Sequence, residues 1–173
     1  MEFSINRDVF LKSLSHAYGI IEKKTTLPIL SNVLIEAKNK KIKIIATDLD
    51  IIYSEEITIS DIKQEGSTTT SASVLYDILR KLEAGSKIEF LLQDENKLKL
   101  ISDNSKFNLL CISPDNFPLS NEDISEKSFE LSSQKILKLL NKTKISISND
   151  ETRHYLNGIY LHKIQKDNKF FLS

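Results

Sequence analysis

Cysteine, glycine, proline and tryptophan are all scarce in this chain, and each shortage removes a class of explanation. Cys111 is the only cysteine, which excludes an intrachain disulfide and a cysteine-rich zinc site. Its place in an alternating, strand-like run reads as a buried, inert thiol. Four glycines fall in neither a phosphate-loop nor a dinucleotide-binding spacing. The three histidines, His16, His154 and His162, are scattered and form no metal-ligand set, and no serine or cysteine carries a nucleophile motif. Asp48 and Asp50 sit in a short link between two strand-like runs, where they read as turn formers rather than an acid pair. No apolar run approaches membrane-spanning length. The Met1-Glu2-Phe3-Ser4-Ile5 start has neither the basic nor the apolar region of a secretory signal, which points to the cytoplasm and away from membranes. Nothing here predicts an enzyme, a catalytic residue, a metal or a cofactor.

Net charge is also missing. Lysine and arginine number 24 and so do the acids, which argues against a uniformly basic nucleic-acid binder. With 40% hydrophobic and 28% charged residues the chain is an ordinary folded one, so any charge-driven function must come from how the charge is distributed.

What is present is a repeat. Phe3-Ser4-Ile5 and Phe129-Glu130-Leu131 stand 126 residues apart, and the same offset places Leu11-Lys12 on Leu137-Lys138, Leu14 on Leu140 and Leu30 on Leu156. Within the first copy a smaller pattern occurs twice: strand, helix, three strands. The first round is a strand at 1–5, a helix at 7–18 capped by Asn6 and closed by Gly19, and strands at 29–37, 40–46 and 51–59. The second is a polar strand at 67–70, a helix from Ser71 or Ser73 to Glu83, and a meander at 87–92, 97–102 and 106–112. The fold class expected is α+β, with repeated strand-helix-three-strand units forming antiparallel sheets and helices on one face. Residues 1–123 read as one complete domain and 124–173 as a linker and the beginning of a second, with a helix at 134–143 and strands at 155–163 and 168–172. The 106–112 strand closes the meander without a successor, which predicts an open edge.

Charge concentrates on the helices. Arg7 and Lys12 outweigh Asp8 in the first, and the second is balanced. The third carries Lys135, Lys138, Lys142 and Lys144 with no acid. Lys135, Lys138 and Lys142 share one face, opposite Ile136, Leu137 and Leu140. A lysine face without interleaved aromatics suits the backbone of a duplex better than single-strand base stacking.

Several segments, in this order, carry a resemblance: Thr26-Leu27-Pro28-Ile29-Leu30-Ser31-Asn32, Ala46-Thr47-Asp48-Leu49-Asp50, Tyr76-Asp77-Ile78-Leu79-Arg80, Phe117-Pro118 and Arg153-His154-Tyr155-Leu156-Asn157-Gly158. With the nested repeat, they make the chain resemble the bacterial DNA polymerase III beta subunit, the DNA sliding clamp. The resemblance implies a clamp fold in which two three-domain subunits close a homodimeric ring on duplex DNA, helices inward and sheets outward. It implies a processivity factor that tethers the replicative polymerase, with the first domain whole here and the second cut. By position it assigns Lys12, Lys24, Arg80, Lys138, Lys142 and Asn149 to DNA, although Asp150 beside Asn149 is an acid where the family approaches DNA. It assigns Val74, Ile78, Phe107 and Leu109 to the intersubunit seam. Arg153, Tyr155 and Leu156 fall to an incomplete groove for polymerase and clamp-loader peptides. A rival reading is a structural or regulatory module that pairs through its sheet edges and binds no DNA.

Overall fold

The computed structural model describes residues 1–21, 26–94, 96–119, 130–150, 152–164 and 169–172, and the chain divides into two units, 1–120 and 121–173. In the first, strand β1 (Glu2–Asn6) leads into helix α1 (Arg7–Ile20), followed by β2 (Asn32–Lys38), β3 (Lys41–Thr47) and β4 (Ile52–Thr58). A short strand β5 (Ile62–Gln64) precedes the second round: β6 (Gly66–Ser71), α2 (Ala72–Lys81), β7 (Lys87–Asp94), β8 (Lys97–Ser102) and β9 (Ser105–Ile112). The strand-helix-three-strand rounds are as expected.

Their pairing could not be read from the sequence. All nine strands join in the order β4-β3-β2-β6-β9-β8-β7-β1-β5, with every pair antiparallel. Each round gives its first strand to the other: β1 pairs with β7, and β6 pairs with β2. The two rounds are therefore interlocked within one sheet, and neither round pairs all its strands without the other.

Helix ends follow local chemistry. Asn6 Oδ1 accepts the backbone N–H groups of Asp8 (2.9 Å) and Val9 (3.3 Å), and Ser71 Oγ accepts that of Val74. Gly19 does not end α1, which runs on to Ile20 because the apolar stripe continues through Ile20 and Ile21 into the core. Gly85 does serve as a stop signal, with φ at +78° in the link after α2, which ends at Lys81 rather than Glu83. The β2–β3 hairpin turns at Asn39 and Lys40, both with positive φ (51° and 58°), as the primed hairpin turns require. Residues 28–31, expected to begin a strand, form a 3₁₀ turn with Pro28 at its start, and β2 begins only at Asn32.

One core lies between the helices and the sheet. Phe90 of β7 is fully buried, stacked on Phe3 of β1 (4.7 Å) and against Phe10 of α1 (4.9 Å), which ties both rounds together. Leu34, Ile45 and Phe117 form a smaller cluster with Ile29, built from outward positions of β2 and β3. Cys111 is buried as expected, and burial pushes its thiol pKa up. The open-edge expectation holds for part of β9 only. Its end pairs with β6 through Thr69–Ile112 and Thr70–Cys111, while the described pairings leave the stretch before it with a strand on one side alone.

The second unit repeats the offset. Helix α3 (Ser133–Thr143) starts 126 residues after α1, and the 3₁₀ turn His154–Leu156 stands where Pro28–Ser31 stands in the first copy. The strand expected at 155–163 is thus displaced by that turn to β10 (Leu161–Ile164), which pairs antiparallel with β11 (Lys169–Leu172). Of the strand that the repeat predicts at 128–131, Ser128 and Phe129 lie outside the described residues, and Glu130 and Leu131 are not in a strand.

Candidate nucleic-acid interface

Helices α1 and α2 pack beside one another, and at the start of α1 one side chain fastens them. Arg7, at the start of α1, donates from Nε to the Leu79 carbonyl (2.7 Å) and from Nη2 to the Arg80 carbonyl (3.1 Å), closing the C-terminal end of α2. Its Nη1 pairs with Asp8 (2.6 Å), whose other oxygen accepts the Gly85 N–H (2.8 Å). Arg7 beside it holds the Asp8 carboxyl below the usual carboxylate range, and the Gly85 N–H adds to this. Arg7 is therefore a structural cation.

The cations left over on the helices are different. Lys12, Arg80 and Lys81 are exposed, and none makes an ion pair among the described residues. With Asp77 as the only acid in α2, Arg80 and Lys81 leave that helix with one net positive charge. Every lysine in a described ion pair is on a strand: Lys41 with Glu56, Lys63 with Glu2 and Glu89, and Lys87 with Asp61. These pairs hold Glu56 and Asp61 below their usual range and push Lys63 up. A cavity of about 730 Å³, over the ends of β2, β3, β4 and β6, is lined by both signs, among them Glu36, Lys41, Lys43, Glu56 and Glu65. It holds no nucleophile beside a base, and no group of three metal-ligating residues occurs among the described residues. Asp48 is a turn former as expected, with Oδ1 accepting the Asp50 (3.0 Å) and Ile51 (2.7 Å) N–H groups.

At its other end α1 is fastened to β4. His16 Nδ1 lies 3.3 Å from the Tyr53 hydroxyl and 3.6 Å from Glu55, and Tyr53 donates to Glu55. The Ser13 hydroxyl, the Tyr53 phenol and the His16 ring hold the Glu55 carboxyl below its ordinary range. Burial, reinforced by Glu55, pushes the Tyr53 phenol up to about 12.

In the second unit, Lys135, Lys138 and Lys142 are exposed on α3 with no acid in the helix and no ion pair among the described residues. Ile136 and Leu139 are half-buried, while Leu137 and Leu140, placed by periodicity with the apolar side, are exposed, Leu137 to 57%. Asn149 is exposed. Asp150 is turned to local use: it accepts the Thr152 N–H (3.0 Å) and hydroxyl (2.6 Å), which holds its carboxyl low, and it lies 3.5 Å from Arg153. Arg153 thus faces Asp150, while Tyr155 and Leu156 stand exposed at the 3₁₀ turn. Lys24 lies outside the described residues.

The four seam positions separate. Val74 is 47% exposed on α2, and Ile78 and Phe107 are half-buried at the margin of the core. Leu109 differs from these three: at 5% exposure it is part of the core, sharing the inward parity of β9 with Cys111. Its neighbour Leu110, 85% exposed on the other face, was missed. The unbroken apolar run Leu109-Leu110-Cys111-Ile112 was the available signal, since in a strand one parity of such a run must point away from the core. Also missed was an aromatic stack on the helix layer. Tyr18 and Tyr76 lie face to face (4.6 Å, 9°), with the Arg80 guanidinium 5.6 Å from the Tyr76 ring centre. The spacing of Tyr76 and Arg80, i and i+4, was its only trace in the sequence.

Residues 1–121 match the family model described as DNA polymerase III beta subunit, N-terminal domain. The chain belongs to the DNA polymerase III beta subunit family. It is 34% identical over 167 residues to the beta sliding clamp of Caulobacter vibrioides, and 34% over 166 residues to that of Buchnera aphidicola. In each case 96% of this chain is covered but 45% of the relative, so the chain spans less than half the length of these curated relatives. Among solved structures it is similar to the sliding clamp of Bartonella birtlesii bound to griselimycin (TM-score 0.91, 39% identity, 96% of this chain and 44% of that one). It is also similar to Caulobacter crescentus pol III beta (TM-score 0.89, 33% identity, 99% and 46%). The α+β architecture of interlocked rounds is accordingly that of the beta subunit family, and no described helix is long and apolar enough to cross a membrane.

Proposed function

We propose that this chain is the leading part of a ring-forming sliding clamp, a processivity factor that encircles duplex DNA, tethers the replicative polymerase and carries out no chemistry itself. The observation that carries this is where the paired and unpaired cations fall: the ion-paired lysines Lys41, Lys63 and Lys87 all stand on strands, while every lysine of α1, α2 and α3 lacks such a partner among the described residues, as do the strand lysines Lys38, Lys43, Lys97, Lys99 and Lys106. Lys12, Arg80, Lys138, Lys142 and Asn149, with Lys24, are the proposed duplex contacts. Lysine is a mobile point charge, suited to phosphates that pass by without being read. Weak, salt-sensitive contacts allow sliding, while enclosure keeps the polymerase at high effective concentration near its template.

Dimer closure is assigned to Val74, Ile78 and Phe107, with Leu109 supporting them from the core. Leu110 and the half-open edge of β9 support this assignment, since an unpaired strand edge is a template for another strand. Arg153, Tyr155 and Leu156 are the proposed contribution to a groove for polymerase and clamp-loader peptides.

The test is Lys138→Glu with Lys142→Glu in the full-length ring, loaded on nicked circular duplex. The expected result is shorter retention and shorter processive synthesis. The salt slope should be shallower by about one unit for each phosphate contact removed. Unchanged retention and slope would remove α3 from the DNA-facing layer.

A further inference from the structure

Resting on the reading that the helix layer faces DNA, we infer that Tyr76, braced by Tyr18, is a positioning residue that holds the Arg80 guanidinium as a fixed phosphate contact. The first unit has two arginines, and they are in opposite states. Arg7 is bound to two carbonyls and a carboxylate. Arg80 is exposed and, among the described residues, donates no side-chain hydrogen bond and makes no ion pair. Its one described partner is the Tyr76 ring, which gives it direction without using any of its five donors.

The ring is itself held. Tyr18 of α1 stacks on it at 4.6 Å and nearly parallel, so Tyr76 is fixed from the neighbouring helix rather than by α2 alone. Arg7 closes the last carbonyls of α2, including that of Arg80, so the guanidinium of Arg80 is not drawn back onto its own helix end. A planar fork fixed in this way meets a phosphate in two parallel bonds with less ordering left to do than a free lysine has. The aromatic pair thus acts on DNA through arginine, without stacking on bases.

A purely structural Tyr76–Arg80 pair would lower the melting temperature when broken and leave the salt dependence of DNA retention alone. The full-length ring on nicked duplex separates the two roles. Arg80→Ala should shorten retention and reduce the salt slope. Tyr76→Leu should shorten retention about two- to five-fold, the size expected of an exposed cation–π contact, and Tyr76→Phe should restore it. Should Tyr76→Leu fold poorly, Tyr18→Leu removes the brace without touching Tyr76 or Arg80 and should give the same direction of change. Full retention in a folded Tyr76→Leu or Tyr18→Leu ring, alongside a defect in Arg80→Ala, overturns the inference. An Arg80→Ala ring that behaves as wild type also overturns it. If Lys138→Glu with Lys142→Glu still fails in that case, the enclosure reading stands without Arg80.

Discussion

Replacing Arg7 by methionine tests whether the two helices are fastened as described. Methionine keeps much of the stem and removes the guanidinium, so the Leu79 and Arg80 carbonyls lose their donor and Asp8 loses its cation. The arginine side chain is only 13% exposed, so packing changes little and the loss is chiefly of hydrogen bonding. Hydrogen bonds to charged groups are worth about 1.5–3 kcal/mol each. The freed carbonyls sit at a helix end that water can reach, which lowers the cost, and a loss of roughly 2–3 kcal/mol follows. For a chain of this size that is a fall in melting temperature of roughly 5–10 °C.

The pH dependence gives a second, independent reading. In the wild type the Asp8 carboxyl is held low, chiefly by Arg7. A depressed acid contributes stability that is present above its unfolded pKa and lost as pH falls through the folded one. The wild type should therefore lose more than Arg7→Met on going from about pH 6 toward pH 3, and the gap between them should narrow. Urea unfolding followed by circular dichroism at each pH, with linear extrapolation, measures both. A variant within about 0.5 kcal/mol of wild type, the range of ordinary surface changes, would refute the fastening. A gap of constant size across that pH range would refute the role given to Asp8.

Two further outcomes follow from the first unit. Lys40→Gly should stabilise the chain by about 0.5–1 kcal/mol, because a lysine now sits at φ +58° in a primed turn that glycine enters freely; a loss in urea unfolding would contradict this. Tyr53, pushed up to about 12, should be a late-ionising tyrosine in an ultraviolet titration. A raised pKa contributes stability that is present below the unfolded value, near 10, and lost as pH rises through the folded one. Wild type should therefore lose stability between about pH 10 and 12, and Tyr53→Phe should lose less. Equal alkaline losses would separate Tyr53 from Glu55.

What was legible in the sequence was whatever local chemistry decides. Asn6 and Ser71 cap their helices because the acceptor lies two or three residues from the donors it serves. The offset of 126 residues held for helix and 3₁₀ turn alike, since each is set by nearby residues. Strand exchange between rounds was not legible, because nothing near β1 says that its partner is β7 rather than β2. Residues 28–31 were misread for a related reason. Pro28-Ile29-Leu30 reads as the start of an apolar strand, yet proline offers no N–H to a ladder and favours the first position of a helical turn. In the candidate site the positions of the charges were legible, but their states were not. Arg7 and Arg80 look alike in the sequence, and only tertiary contacts distinguish a helix cap from an unpaired donor.

That difference of state is how a chain with no net charge can carry unpaired cations on its helices. Neutrality constrains the total and leaves the arrangement open. Here Glu2, Glu56, Asp61 and Glu89 lie on or beside the strands, where period-two geometry brings them against Lys41, Lys63 and Lys87. Those lysines are neutralised at short range and contribute little field beyond the sheet. Helical residues three or four apart could pair in the same way, but α3 contains no acid, and the acid at the start of α1 is bound to Arg7. In α2 Asp77 offsets one of Arg80 and Lys81, so one net positive charge remains there, and the lysines of α1 and α3 have no free acid in their own helices. An acid introduced one turn before Lys138, as in Gln134→Glu, should quench one of them without altering the fold.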